Sequence, residues 1–350
     1  LKKRLTTILK FLVPVAIIAF LIYSVASHEP GSADEANTFE VVGNADWNWG
    51  ALAAGLLLSL VAVSITFFRW YLLVRALELK FRLGDAFRLG FLGFMFNFVG
   101  AGSVGGDLFK AVFIAREQPG RRTEAVATVV VDRMVGLYAL LIVTTIALWF
   151  TRFEQPTTEI LIIRRMTYIL AAVGGMAVLM VLVPGFTSGT VSEWLASIPR
   201  IGPTLERLIQ AVRMYRRCQG ILLAAGVMSL CVHALFGVSV WCLAVGLFSK
   251  ASGLQIPNLH SHLIIVPLTM LCAALPISPA GLGTFELALE ALYRMLATVS
   301  IQPGQGLIVA LAFRVVQIGL IIIGVIYYWS GRQEVSELMH EVELEEKKPA

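Results

Sequence analysis

Charge is scarce in this chain of 350 residues. Only 15% of its residues are Asp, Glu, Lys or Arg, 57% are hydrophobic, and the mean hydropathy is +0.79. A soluble domain of this length cannot cover its surface with so few charges, so the composition points to an integral membrane protein. The net charge of +5 is too small and too dispersed for a nucleic-acid patch. Cysteine is sparse as well. Cys218, Cys231, Cys242 and Cys272 lie in or beside apolar runs without CxxC spacing, which argues against a disulfide framework or a metal centre. His260 and His262 flank a serine and do not make a metal site by themselves. Walker, HExxH and GxSxG patterns are missing, so ATP drive and hydrolase chemistry lack a motif, and no cofactor is expected.

What the chain does have is long apolar segments. Six are long enough to cross a bilayer core of about 30 Å: 8–25, 49–74, 125–150, 166–184, 220–248 and 304–329. The first follows Lys2, Lys3 and Arg4 and reads as an uncleaved signal anchor, although Ser24-Val25-Ala26 resembles a cleavage site. Two further apolar regions, 86–117 and 261–298, are cut mid-way by glycine or proline. Their arms reach only ~21–24 Å, too short to span comfortably, so each is expected to be a re-entrant hairpin. Non-helical backbone at depth survives only against protein or a watery cavity, which both tips should therefore line.

Loop charge orients these segments. Lys2, Lys3, Arg4 and Lys10 place the start of the chain in the cytoplasm, while loop 26–48 holds only acids and faces outward. Arg69, Arg75, Lys80, Arg82 and Arg88 mark the return inside, and Arg116, Arg121 and Arg122 keep the first hairpin there. Arg152, Arg164, Arg165 and Lys250 are the exceptions. The expected topology is multi-pass in a bacterial cytoplasmic (inner) membrane with both termini cytoplasmic. Trp47, Trp49, Trp149, Trp70, Tyr327, Tyr328 and Trp329 read as aromatic belts.

The order span, hairpin, span occurs twice with opposite orientation, over about 49–150 and 220–329. That is the pattern of an inverted-topology repeat around a midplane site. The expected organisation is a 1–48 anchor and outer loop, a 49–329 transmembrane domain whose units are joined by 151–219, and a 330–350 acidic cytoplasmic tail. Within the joining segment, Leu205, Leu208, Ile209 and Val212 form an apolar stripe beside Arg207, Arg213, Arg216 and Arg217. This reads as a helix lying on anionic inner-leaflet lipids, or as an ordinary connector.

Each unit repeats a motif. GAGSVGGDLFKA (Gly100–Ala111) and LPISPAGLGTFELALEAL (Leu275–Leu292) break the helix and then place an acid. Each is followed by an arginine inside an apolar run, Arg133 and Arg314. An ionised side chain near the bilayer centre costs roughly 2.5–3.5 kcal/mol, so these arginines need partners. Asp132 is a poor partner for adjacent Arg133, because i and i+1 do not share a helix face. Asp107 and Glu286 are the natural ones. The candidate substrate-binding set is Asp107, Asp132, Arg133, Glu286, Glu290 and Arg314, with Gly102, Gly105, Gly106, Pro279, Gly281 and Gly283 shaping the backbone. Two readings stay open. The pairs lock hairpin to span, with Asp107 and Glu286 capping their helices. Alternatively the arginines grip lipid phosphate while Asp107, Glu286 or Glu290 accepts a headgroup amine. Lys110 reads as an i,i+3 partner of Asp107, Glu290 with Arg294 as an i,i+4 pair, and Asn97 as a group that satisfies freed backbone.

The run GxxGGDxxKA, the later Asp-Arg pair and the second-half PxxPxGLGxxE resemble the flippase-like transmembrane family, the membrane region of lysylphosphatidylglycerol synthases. The resemblance covers about 49–329. It implies movement of a phospholipid or other charged-headgroup lipid between leaflets, a transporter rather than an enzyme. In this family a separate soluble domain makes the aminoacyl-lipid, and the sequence read here carries no counterpart of it. A membrane-embedded transferase acting on a lipid-linked substrate, or a non-catalytic partner subunit, is the alternative.

Overall fold

The computed structural model describes residues 18–20, 22–23, 38–99, 105–151, 157–182, 213–251, 253–275, 278–296 and 299–330. All regular structure among them is helical. A short helix α1 (Thr38–Asn44) leads to α2 (Trp49–Ala76), then α3 (Leu83–Val99), α4 (Gly105–Glu117), α5 (Arg122–Phe150) and α6 (Thr158–Leu182). After a 3-10 turn at Tyr215–Cys218 come α7 (Gln219–Phe248), α8 (Leu259–Ala273), α9 (Thr284–Leu296) and α10 (Gln305–Ser330). Five helices are long and apolar enough to cross a membrane: Trp49–Ala76, Arg122–Phe150, Thr158–Val178, Tyr215–Phe248 and Gln305–Ser330. They match five of the six expected spans. Most of the expected first span, the break around Gly102, most of the amphipathic connector and the acidic tail lie outside the described residues.

Helix starts follow local chemistry. Asn48 caps α2 by accepting from the Ala51 N–H at 3.2 Å, and Asn258 caps α8 by accepting from the Ser261 N–H at 2.8 Å. The third of these five helices begins earlier than hydropathy suggests, at Thr158, so Arg164 and Arg165 lie within α6 rather than before it. Helix N-termini carry Asp85, Asp107, Glu124 and Glu286 in their first turns, where the dipole favours negative charge.

Among the described helices α2 and α7 make the longest contact, and they run antiparallel. Leu52 lies on Gly246, Leu243 on Gly55, and the Ser59 and Ser239 hydroxyls meet at 2.7 Å. Small residues at this crossing let the backbones close up, the usual basis of helix association where lipid supplies no hydrophobic drive. The two broken regions appear as the packed helix pairs α3/α4 and α8/α9. In each pair the second arm packs on the span that follows it, α5 or α10, and the first arm packs on the other of those two spans. One apolar core gathers around α3/α4 with Trp70, Phe109 and Ile114, and a second around α8/α9 with Phe285, Tyr293 and Phe313. Large apolar side chains such as Leu57, Ile146, Ile169, Val315 and Ile322 remain exposed on the perimeter, as a bilayer-facing surface requires. Trp49, Trp149 and Trp329 stand exposed at helix ends.

Candidate functional site: a charged cavity between the helix pairs

A cavity of about 300 Å³ opens between the two pairs. Its charged lining is Arg69, Asp107, Lys110, Asp132, Arg133 and Arg314; His233, Asn97 and Gln317 add neutral polar groups. Phenylalanines from α2, α3, α7, α9 and α10 supply much of the remaining wall. Polar groups converge here from most of the helices that pack around it.

The second break is held from within. Ala280, Gly281 and Gly283 adopt left-handed backbone (φ 49°, 66° and 79°), and glycine is favoured at two of those positions because a Cβ would be strained. The Glu286 carboxylate accepts from the Gly283 N–H at 2.8 Å, the acidic half of a capping box on α9. Arg314 then saturates its guanidinium. Nε donates to Glu286 at 2.5 Å, Nη1 to the Ala280 carbonyl at 3.1 Å and to Gln317 at 2.8 Å, and Nη2 to the Gly281 carbonyl at 2.9 Å and to Glu286 at 3.3 Å. An arginine has five N–H donors, and these bonds use them all. Its planar face also lies against Phe285 and Phe98. The expected pairing of Arg314 with Glu286 is therefore present, but Arg314 has no N–H left for a phosphate. Glu286, fully buried behind Arg314, is not among the residues that line the cavity.

The corresponding groups of the first half are looser. Asp107 in the first turn of α4 faces Arg133 at 3.6 Å and Lys110 at 3.5 Å. The Arg133 side chain is 40% exposed, against 8% for Arg314. Asn97 accepts from the Gly106 N–H at 2.9 Å, tying α3 to α4 and satisfying freed backbone as expected. At the same crossing a Cβ on Gly106 would sit 1.9 Å from the Gly93 carbonyl oxygen, so only glycine allows this approach.

The sequence model of the lysylphosphatidylglycerol synthase TM region matches residues 8–324. The chain belongs to this family. It is thus a multi-pass member of a lipid-related membrane family. The family match spans both broken helix pairs and every cavity-lining residue named here. No curated protein gives a significant match.

Several residues of this family member stand where sequence reasoning did not put them. Asp132 does line the cavity, and its partner is Arg69, whose Nε donates to it at 2.8 Å. Arg69 also donates to Ser229 Oγ at 2.6 Å and is 4% exposed. Reading Arg69 as a boundary charge was therefore incorrect: α2 continues to Ala76, which carries Arg69 inside the bundle. The available signal was the apolar Trp70–Val74 stretch that follows it. Glu290 stands apart from the cavity. Its two oxygens accept from the Gly304 N–H at 2.9 Å and the Leu307 N–H at 3.0 Å, capping α10, so its carboxylate is not directed at Arg294 or a ligand. His262 is fully buried and meets the Tyr293 hydroxyl at 2.6 Å. His233 was missed altogether; it sits among apolar residues on α7, with no pattern to mark it.

Proposed function

We propose that this protein moves a charged-headgroup lipid between leaflets, with the headgroup passing through the cavity while the acyl chains stay in the bilayer. The observation that carries this reading is the Asp107, Lys110 and Arg133 cluster on the cavity wall. Two cations there share one carboxylate at distances too long for tight hydrogen bonds. A phosphate arriving at Arg133 loses little protein bonding and gains a bidentate donor. Removing the headgroup's desolvation penalty is what such a pathway must do.

The α3/α4 and α8/α9 pairs act in this scheme as re-entrant hairpins inserted from opposite faces, the two halves of an inverted-topology repeat. Three features support that. Ser59 and Ser239, 180 positions apart, meet on each other at the α2–α7 crossing, where a two-fold axis would pass. The same separation, within one residue, relates Asp107 to Glu286 and Arg133 to Arg314. Each first arm also crosses to the opposite half's last span, as a two-fold demands. The setting is a bacterial cytoplasmic membrane whose anionic inner leaflet attracts the basic residues of the 185–219 segment. A transferase would need Asp107, Glu286 or Glu290 as acid or base; Glu286 and Glu290 are both committed to backbone N–H groups, which leaves that reading only Asp107, shared by Lys110 and Arg133.

Leaflet exchange of fluorescent lipids in proteoliposomes tests the reading. Wild-type vesicles should expose inner-leaflet probe to an external quencher well above the protein-free rate, and Arg133→Ala should return it to that background. Exchange at the background rate with wild-type protein would remove the proposal.

A further inference from the structure

The charge inventory of the cavity bears on which headgroup it accepts. Arg69 is matched by Asp132 and Arg314 by Glu286, whereas Lys110 and Arg133 divide Asp107 between them. Among the described residues the wall therefore carries one cation in excess. Residues 100–104, between α3 and α4, hold no ionisable side chain that would cancel it. Among the described residues the other carboxylates at or near the cavity are engaged: Asp132 accepts from Arg69, Glu286 is bonded to Arg314 and Gly283, and Glu290 faces the start of α10. An ammonium-bearing headgroup would meet a net positive wall, and like charge repels it.

His233 adds a second requirement. Its side chain lines the cavity and is 9% exposed. Its Nε2 donates to the Gly136 carbonyl at 2.9 Å; a carbonyl only accepts, so that nitrogen carries the proton and Nδ1 is left as a lone-pair acceptor. Nδ1 is buried and no group among the described residues donates to it. An unmatched buried acceptor costs free energy unless something donates to it, and a ligand hydroxyl is a suitable donor.

We propose that the cavity selects a phosphodiester lipid with a hydroxylated, amine-free headgroup, its phosphate held by Arg133 and Lys110 and a headgroup hydroxyl donated to His233 Nδ1. This rests on the lipid-binding reading above and narrows it to an anionic substrate class. Lysylphosphatidylglycerol, aminoacylated and net cationic, is a poor fit to this wall.

Equilibrium binding tests this without any transport step. Full-length protein in mild detergent is immobilised and challenged with labelled phosphatidylglycerol against unlabelled competitors. Phosphatidylmethanol has the same charge without hydroxyls and should compete about tenfold more weakly than phosphatidylglycerol. Phosphatidylethanolamine and lysylphosphatidylglycerol should compete more weakly still. Free glycerol phosphate and inorganic phosphate distinguish a lipid site from a soluble-anion site, and neither should displace the lipid at comparable concentration. Lys110→Gln should weaken phosphatidylglycerol binding about tenfold. His233→Phe should abolish the gap between phosphatidylglycerol and phosphatidylmethanol; if that variant fails to fold, the two lipids compared on wild-type protein decide the point.

Equal binding of phosphatidylmethanol and phosphatidylglycerol would overturn the hydroxyl assignment. Preferential binding of either amine lipid would overturn the anionic one, and displacement by free glycerol phosphate would overturn the lipid assignment. Selective binding without leaflet exchange would defeat the transport proposal and leave this one standing. Exchange of amine lipids without this selectivity would do the reverse.

Discussion

The two halves of the molecule place the same chemical pair, an acid after a helix break and an arginine on the following span, in two different states. In the second half Glu286 is fully buried, Arg314 is bonded through every N–H, and the loop carbonyls of Ala280 and Gly281 complete the cage. In the first half Asp107 and Arg133 sit 3.6 Å apart, Arg133 is partly exposed, and Lys110 competes for the same carboxylate. A buried pair that has met its desolvation cost is structural, and disturbing it exposes that cost. A partly solvated pair contributes little and can exchange partners. On the function proposed above, one half is scaffold and the other meets the ligand, although the motif is shared.

The sharpest way to break this comparison is to remove the scaffold arginine. Arg314→Ala leaves Glu286 buried without its counter-charge and should cost about 3–5 kcal/mol, read as lost yield and a lower thermal midpoint in detergent. A variant as stable as wild type would erase the contrast. Next comes Arg69→Ala, which strips Asp132 and Ser229 of their donor. Roughly 2–3 kcal/mol of stability should go, showing that the first half also contains a locked pair and that its looseness is local to Asp107. Gly106→Ala drives a methyl into the Gly93 carbonyl and should cost about 1–3 kcal/mol by separating α3 from α4. Because that shift moves Asp107 relative to Arg133, lipid binding should weaken alongside stability. Arg133→Ala is the mildest for folding, with a change of about 0–1 kcal/mol expected in the same thermal assay.

Much of this layout was legible beforehand, for identifiable reasons. Spans α2, α5, α7 and α10 are long apolar runs whose length alone fixes them, and both breaks announce themselves through glycine and proline. Asp107–Arg133 and Glu286–Arg314 were accessible because an arginine inside an apolar run must find an acid, and few acids occur in apolar segments. Arg69 was hidden by position. It lies close enough to the charged end of α2 to resemble a boundary residue, and only the depth of Asp132 on another helix makes it interior. Glu290 misled in the other direction, since an acid one turn after Glu286 looks equally suited to a ligand. The approach of α10's N-terminus, with Gly306 against the Glu290 backbone, claims it instead. His233 carries no local signature, because its role follows from Gly136 across the bundle.

The most direct test of the two-state contrast uses Arg133→Ala protein reconstituted at matched amount, with thermal midpoint and leaflet exchange of labelled phosphatidylglycerol measured on the same preparation. The account predicts a midpoint near wild type together with exchange at the protein-free rate. Wild-type exchange in that variant would contradict it, as would loss of exchange that follows a collapse in stability.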